Sequence, residues 1–134
     1  MAMRAAAARR KRAPAAPTRD WDREFKAINN TVMDLSFADL NERDGLAIAE
    51  RLGDSRSAGV LRLRLRGTGL REAAGVAIAR AVATNRTLLL LDLSRNALGD
   101  GTGVAMAEAL ARNTKLQSLD LGRTIHAPPP IPPP

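Results

Sequence analysis

The stretch Leu88-Leu-Leu-Leu-Asp-Leu-Ser-Arg-Asn96-Ala-Leu98 decides the fold, because the part that begins at Leu91 recurs along the chain. One copy lies 28 residues earlier, Leu63-Arg-Leu-Arg-Gly-Thr-Gly-Leu70, and another lies 28 residues later, Leu119-Asp-Leu-Gly-Arg-Thr-Ile-His126. A further copy, Met33-Asp-Leu-Ser-Phe-Ala-Asp-Leu40, precedes the one at Leu63 by 30 residues. A constant period of this length is the signature of a repeat protein.

Each copy belongs to a unit whose hydrophobic period changes halfway along. In the first half, apolar residues alternate with mostly polar ones, as in Leu91 and Leu93, which predicts a short strand with one buried face. The second half has apolar residues at i, i+3, i+4 and i+7, which predicts a helix with one apolar stripe. These helical segments are residues 45–52, 75–82 and 103–110. Each unit thus predicts a strand, a turn and a helix, and the units are expected to stack in parallel as a solenoid.

A glycine or an asparagine follows each predicted helix. The residues at these positions are Gly53, Asn85 and Asn113. Glycine and asparagine tolerate the left-handed backbone conformation better than other residues do, so we expect all three to end their helices in that conformation.

Residues 88–98 resemble the strand motif L-x-x-L-x-L-x-x-N-x-L of the leucine-rich-repeat family, specifically its ribonuclease-inhibitor-like class with 28-residue repeats. The resemblance covers about 30–126 and implies a short horseshoe arc, with parallel strands on the concave face and helices on the convex face. It departs from the family at the turn asparagine, which is present only as Asn96. Thr68 and Thr124 offer weaker hydrogen bonding at that position, so we expect less regular turns in those units.

The organisation of the chain follows from the repeats and from the composition of its ends. Residues 1–19 hold six basic residues and no acidic one, with few large apolar side chains, so they are predicted to be a disordered tail. Residues 127–134 are proline-rich and predict a polyproline II arm. The predicted repeat domain is 20–126, with a cap at 20–29, repeats at 30–59, 60–87 and 88–115, and a partial repeat at 116–126.

The two ends of the repeat array differ in how they are covered. Trp21, Phe25 and Ile28 are spaced for a short helix that Asp20 can cap, and its apolar side is expected to cover the first strand. No helical pattern follows the partial repeat, so several leucines near it are expected to be exposed. They are Leu110, Leu116, Leu119 and Leu121. This open end predicts self-association, a partner that completes the array, or a shortened member of a longer array.

The composition offers little for catalysis, metal binding or cofactor binding. The chain of 134 residues has no Cys, one His and three aromatic residues. Gly99-Asp-Gly-Thr-Gly103 superficially resembles a phosphate-binding loop, but the matching slot one repeat earlier is Arg71-Glu-Ala-Ala-Gly75, which favours an ordinary turn. His126 falls on an inward position, apart from the exposed Ser94 and Asp92, so we expect no catalytic triad. We therefore predict a non-enzymatic protein without catalytic, cofactor or metal sites.

The strongest surface feature is the run Arg62, Arg64 and Arg66, whose spacing of two puts the three side chains on one face of a strand. Aspartates occupy the positions equivalent to Arg64 in the adjacent strands, so this arginine is expected between two carboxylates. One interpretation is a solvated, partly self-paired surface. The other is a concave face that binds an acidic protein surface. The predicted partner-binding residues are Arg62, Arg64, Arg66, Asp92, Arg95, Asp120 and Arg123.

The family resemblance implies a non-catalytic scaffold that binds a protein partner through its concave strand face. The alternative is association with nucleic acid or an anionic membrane through the basic cluster Arg9, Arg10, Lys11 and Arg12, with the repeats as carrier. We expect an intracellular, cytoplasmic protein, and the basic tail leaves the nucleus or an organelle open as alternatives. No apolar run is long enough for a transmembrane segment.

Overall fold

The computed structural model describes residues 16–27, 32–54 and 60–124, which form four helices and four strands. The strands make one sheet in which every neighbouring pair is parallel and the spatial order follows the chain. This confirms the predicted α/β class with parallel strands. The elements are α1 (Trp21–Ala27), β1 (Val32–Asp34), α2 (Glu42–Gly53), β2 (Arg62–Arg64), α3 (Glu72–Thr84), β3 (Leu90–Asp92), α4 (Gly99–Leu110) and β4 (Ser118–Asp120). In the described part of the chain, no helix has the length and apolar character needed to cross a membrane.

Each strand is aligned with the next at the spacing of the sequence copies. Met33 pairs with Leu63, Leu63 with Leu91, and Leu91 with Leu119. The first three of these side chains are buried, and Leu119 packs partly buried against the same core. Because side chains alternate along a strand, the residues on either side of this apolar ladder point to the opposite face of the sheet.

Glycines on two of the helices let the next helix approach closely. α2 packs against α3, and α3 packs against α4. A Cβ at Gly45 would collide with the side chain of Ala74, and a Cβ at Gly75 would collide with Thr102. The glycine that recurs in the helical half of each unit is thus a packing residue at these two positions, since a side chain there would force the helices apart.

The short helix α1 covers the first unit with its tryptophan. Trp21 is 4% exposed, and its Nε1 donates a 2.9 Å hydrogen bond to Oδ1 of Asp44 in the first turn of α2. The main contacts of α1 are with α2, whereas its apolar spacing suggested cover for the first strand. Ile28, the third apolar residue of that pattern, lies outside the described residues.

Asp44 also anchors the chain that precedes α1. Its fully buried carboxylate accepts from the Thr18 amide and hydroxyl, at 2.6 and 2.8 Å, and from the Asn41 amide at 2.9 Å. Burial alone would raise the pKa of Asp44, but hydrogen bonds from Asn41, Trp21 and Thr18 outweigh it and hold this pKa below its ordinary value. Asn41 in turn donates from Nδ2 to the Ala16 carbonyl at 2.8 Å. Contacts with the fold therefore begin within the segment that composition assigned to the tail.

The asparagines that follow α3 and α4 do not act as predicted. Asn85 has an extended backbone, with φ −69°, and its Nδ2 donates a 2.8 Å hydrogen bond to the Leu52 carbonyl in the last turn of α2. Asn113 likewise donates to the Val82 carbonyl in α3, at 2.7 Å. Gly53 is the last residue of α2, and none of the three residues has a left-handed backbone. The prediction of left-handed helix ends is wrong, because a side-chain amide reaches back to the preceding unit instead.

Asn96 joins the turns of the second and third units. Its Oδ1 accepts from the amides of Thr68 and Leu70, at 2.9 and 3.2 Å, and its Nδ2 donates to the carbonyls of Leu65 and Leu93, at 2.8 and 3.0 Å. The Thr68 hydroxyl, at the equivalent position one unit earlier, donates only to the Leu65 carbonyl and to Asn96 itself. The asparagine therefore makes the more extensive set of hydrogen bonds, as the sequence comparison predicted.

The last described helix is more exposed than the two before it. Leu110 in α4 is 43% exposed, whereas Leu52 and Val82, at the same repeat position in α2 and α3, are 1% and 0% exposed. Val104 on α4 is 62% exposed. The other leucines expected at the open end are partly buried against the core. They are Leu116, Leu119 and Leu121.

Candidate functional site

The side chains that alternate with the buried ladder form the open face of the sheet, which we call the strand face. Its first two rows are Val32, Arg62, Leu90 and Ser118, and then Asp34, Arg64, Asp92 and Asp120. Backbone hydrogen bonds continue the alignment into a third row, which is Ser36, Arg66, Ser94 and Gly122. The three arginines that the sequence singled out thus occupy one position in each row.

These arginines have no carboxylate partner in the described part of the chain. Arg62 is exposed, and Arg64 and Arg66 are half-buried. Arg64 is aligned with Asp34 on one side and Asp92 on the other, as predicted. Even so, no ion pair within 4.0 Å joins any of these three arginines to a described carboxylate. The self-paired interpretation therefore lacks the direct ion pair at Arg64.

The aspartates of the second row bind their own turns instead. Oδ1 of Asp34, Asp92 and Asp120 accepts a hydrogen bond from the amide two residues further on, at 3.0, 2.9 and 2.8 Å. Hydrogen bonding from Ser36 is the main cause that holds the pKa of Asp34 below its ordinary value, and the charge of Arg64 adds to it. These carboxylates hold the chain as it leaves each strand, so they do not neutralise the arginines by contact.

An exposed aromatic ring extends the strand face beside the third row. Phe37 is 69% exposed, and its ring centroid lies 5.9 Å from Cζ of Arg66. The ring also lies over Gly67, where a Cβ would meet the ring atoms. Sequence reasoning assigned no role to this phenylalanine. The available signal was its position in the repeat, since the equivalent residues are Gly67, Arg95 and Arg123.

The same turn position has a left-handed backbone in all four units. The φ angles are 63° at Phe37, 63° at Gly67, 57° at Arg95 and 59° at Arg123. Glycine adopts this conformation freely, whereas a bulky side chain there costs on the order of 1–2 kcal/mol. Three of the four turns therefore keep a strained side chain on the rim of the strand face.

A shallow hollow of about 180 Å³ opens at the carboxyl ends of β3 and β4. It is lined by Arg66, Ser94, Arg95, Asp120, Gly122 and Arg123. The fold therefore brings Arg66, Arg95, Asp120 and Arg123 of the predicted binding residues together, although they are distant in sequence. The remaining three, Arg62, Arg64 and Asp92, lie further back along the strands.

Two motifs considered for chemistry have structural partners. At the start of α4, the Gly101 amide donates to Oε2 of Glu72 at 3.1 Å, so a carboxylate of the same chain binds this end of the glycine-rich turn. The Ser94 hydroxyl donates to Oδ1 of Asp92 at 2.6 Å. His126, the third member of that possible triad, lies outside the described residues.

The predicted contacts of the basic tail also fall outside the described residues. They are Arg9, Arg10, Lys11 and Arg12. Within 16–27, 32–54 and 60–124, no group of three or more His, Cys, Asp and Glu side chains is arranged to hold a metal ion.

Comparison with known proteins bears on the fold. No family model matches this sequence, and no curated protein matches it. The structure is similar to the solved structure of leiomodin-1 actin-binding site 2, with a TM-score of 0.69 and 21% sequence identity. The match covers 80% of this chain and 65% of that one, so this protein spans somewhat less than two thirds of its structural neighbour. The likeness supports a leucine-rich-repeat-like fold.

Proposed function

We propose that this protein is a non-catalytic scaffold that binds an acidic surface of a protein partner through the strand face. The carrying observation is that Arg62, Arg64 and Arg66 lie side by side on an open sheet without an ion pair to a described carboxylate. Exposed ion pairs contribute only about 0–1 kcal/mol to folding, so these charges have little structural use. Positive charge on one face also steers an acidic partner into register.

The comparison agrees with this use of the fold. Its structural neighbour, from leiomodin-1, is described as an actin-binding site, which is a protein-binding role. For the present chain we infer an intracellular protein partner and no cofactor. We also infer that the units are ribonuclease-inhibitor-like repeats stacked as a solenoid, because the 28-residue spacing aligns every pair of strands from β2 onward. Curvature with the strands inside would make the strand face concave and direct its arginines toward one partner.

The test is a charge reversal with a matched control. In R62E/R64E/R66E the strand face is reversed, and in R43E/R80E/R112E three exposed arginines on or next to α2, α3 and α4 are reversed. Both variants change the net charge by the same amount. We expect the first to lose proteins that the wild type captures at physiological salt, with an unchanged circular dichroism spectrum, and the second to retain them. Retention by the first variant, or equal loss from both, would exclude the strand face.

A second candidate function is association with RNA or an anionic membrane through the basic tail. The favouring observation is the charge distribution, since residues 1–19 hold six basic residues and no acid while the rest of the chain holds 15 basic and 14 acidic residues. Deleting residues 1–15 removes five of the six and spares Thr18, which binds Asp44. Salt-dependent binding to RNA or phosphatidylserine vesicles should disappear with this deletion. Binding that survives would contradict the tail as the contact.

A further part of the proposal is self-association through the outer side of α4. Leu110 is 43% exposed where the equivalent Leu52 is covered by the following unit, and a second copy would supply the missing cover. A two-fold dimer would pair the same surface of both copies. Sedimentation of the full chain should show a dimer that L110E converts to monomer. A monomeric wild-type chain across the concentration range would refute this contact.

A further inference from the structure

Three arginines converge on the hollow at the carboxyl ends of β3 and β4. Arg66, Arg95 and Arg123 line it, and the one acidic residue of the lining is Asp120. No ion pair within 4.0 Å involves any of these arginines among the described residues. The lining therefore carries a formal charge of +2. Like charges gathered in a concave surface attract an anion more strongly than the same charges spread over a flat one.

Asp120 does not neutralise this charge by contact. Its Oδ1 accepts the Gly122 amide at 2.8 Å, as the equivalent aspartates accept the amides of their own turns. The carboxylate thus serves the backbone at the edge of the hollow. The guanidinium groups are left to act on whatever enters it.

Arg66 is positioned but unsatisfied. Its Nε is buried and has no hydrogen-bond acceptor among the described residues. The guanidinium is instead held next to the ring of Phe37, at 5.9 Å from Cζ to the centroid. A buried donor without an acceptor is unfavourable, and an oxyanion in the hollow would supply the guanidinium with one after a small rotation of the side chain.

Arg95 and Arg123 occupy positions where glycine would fit better. Their φ angles of 57° and 59° lie in the left-handed region, and the equivalent residue one unit before Arg95 is Gly67. No described hydrogen bond or ion pair of either side chain offsets the strain. Strained residues that the fold does not need are typical of binding sites.

We propose that the hollow is a phosphoryl subsite that binds a phosphorylated serine or threonine side chain of the protein partner. This inference rests on the proposed function and names the group that the strand face recognises. A phosphoryl group carries about −1.5 to −2 charges at pH 7 and three acceptor oxygens. Three arginine donors and a lining charge of +2 match it more closely than they match a singly charged carboxylate. The exposed Phe37 beside Arg66 offers an apolar contact to a neighbouring residue of the partner.

The experiment titrates the isotope-labelled full chain with O-phosphoserine, and separately with glutamate, and follows the backbone amides by NMR. Shifts with O-phosphoserine should saturate and centre on Arg95, Gly122 and Arg123, and glutamate should bind at least about tenfold more weakly. R95G/R123G should weaken O-phosphoserine binding by at least about tenfold, since two charge-assisted contacts are lost. Its Tm should stay level or rise, because glycine fits both turns. The matched control R80Q/R112Q, with the same loss of charge, should bind as the wild type does.

Equal binding of glutamate and O-phosphoserine would overturn the subsite, as would wild-type binding by R95G/R123G or equal loss in R80Q/R112Q. The pair R62E/R64E separates this inference from the proposed function, because both residues lie outside the hollow. Retained O-phosphoserine binding in R62E/R64E, together with lost partner capture, would support both statements. Partner capture that depends on Arg62 and Arg64, combined with O-phosphoserine binding that ignores Arg95 and Arg123, would remove the subsite alone.

Discussion

The joints between units and the strand face use polar residues in opposite ways. At the joints, the side chains of Asn96 and Asn113 are more than 90% buried and bind backbone groups of the preceding unit. On the strand face, Arg62 and Arg66 have no described ion pair, and Arg66 keeps a buried Nε without an acceptor. The two regions lie within the same repeats and are built from the same strands.

The difference separates residues that hold the fold from residues that are free to bind. A buried amide that loses its partners exposes the chain to a penalty of about 1–3 kcal/mol for each unsatisfied group. An exposed arginine without a partner costs almost nothing to replace. Substitutions at the joints should therefore change stability, and substitutions on the strand face should change binding alone.

The largest loss of stability is expected for Asn96→Ala. The substitution leaves the amides of Thr68 and Leu70 and the Leu65 carbonyl without their side-chain partner in a buried turn. We expect the free energy of unfolding to fall by about 3 kcal/mol, measured by urea denaturation. Gln117→Ala, which removes an exposed amide, is the control and should change it by less than about 0.5 kcal/mol. Comparable effects of the two substitutions would break the distinction between joint and surface.

A loss of about 2 kcal/mol is expected for Asp44→Ala, because the Trp21 indole and the Thr18 hydroxyl then lack an acceptor. The contribution of Asp44 should also depend on pH. Its folded-state pKa lies below the ordinary 3.8, so the stabilisation is present above that value and is lost as pH falls through the folded-state pKa. The urea midpoint of the wild type should therefore fall more steeply in acid than that of the variant. Asp39→Asn, at an exposed position, should leave the acid dependence as in the wild type, and parallel curves for wild type and Asp44→Ala would refute this role.

A smaller effect, and one of opposite sign at two equivalent positions, is expected for glycine replacement. Gly75→Ala should destabilise by about 1–2 kcal/mol, since the new Cβ collides with Thr102 of the next helix. Gly103→Ala, at the same repeat position on the more exposed α4, should stabilise by about 0.5–1 kcal/mol through helix propensity alone. Thermal unfolding of the two variants measures the difference. Equal effects at both positions would mean that close packing does not explain the recurring glycine.

The smallest effect on stability is expected for R62E/R64E/R66E. No described ion pair or hydrogen bond of these side chains would be lost, so the free energy of unfolding should change by less than about 0.5 kcal/mol. Urea denaturation at two salt concentrations checks this. A loss above 1 kcal/mol would show that the strand face serves the fold and would weaken the contrast with the joints.

The repeat spacing predicted the α/β fold because it is a property of the apolar residues themselves. The alternation of Leu63 and Leu65 and its copy at Leu91 and Leu93 identify both the strands and the residues that pair. The alignment of Arg64 between Asp34 and Asp92 follows from the same register. Periodicity does not report where each polar side chain bonds, so the expected ion pair at Arg64 was not found.

Features that depend on contacts between units were beyond sequence reasoning. The hydrogen bond from Trp21 to Asp44 joins residues 23 positions apart that share no motif. The asparagine that follows α3 was expected to bend its own backbone, but its amide reaches Leu52 in the unit before. The left-handed turn was hidden because Phe37, Gly67 and Arg95 have so little in common. The predicted binding residues stay a prediction, although the fold gathers four of them around one hollow.

The central claim, that the strand face and not the helix side contacts the partner, is tested most directly by photo-crosslinking. A photo-reactive amino acid is placed at Arg62 in one sample of the full chain and at the exposed Arg80 of α3 in another, and both are irradiated in cell extract. The account predicts a defined protein adduct from position 62 that R64E/R66E removes, and none from position 80. An adduct from position 80 alone would contradict it.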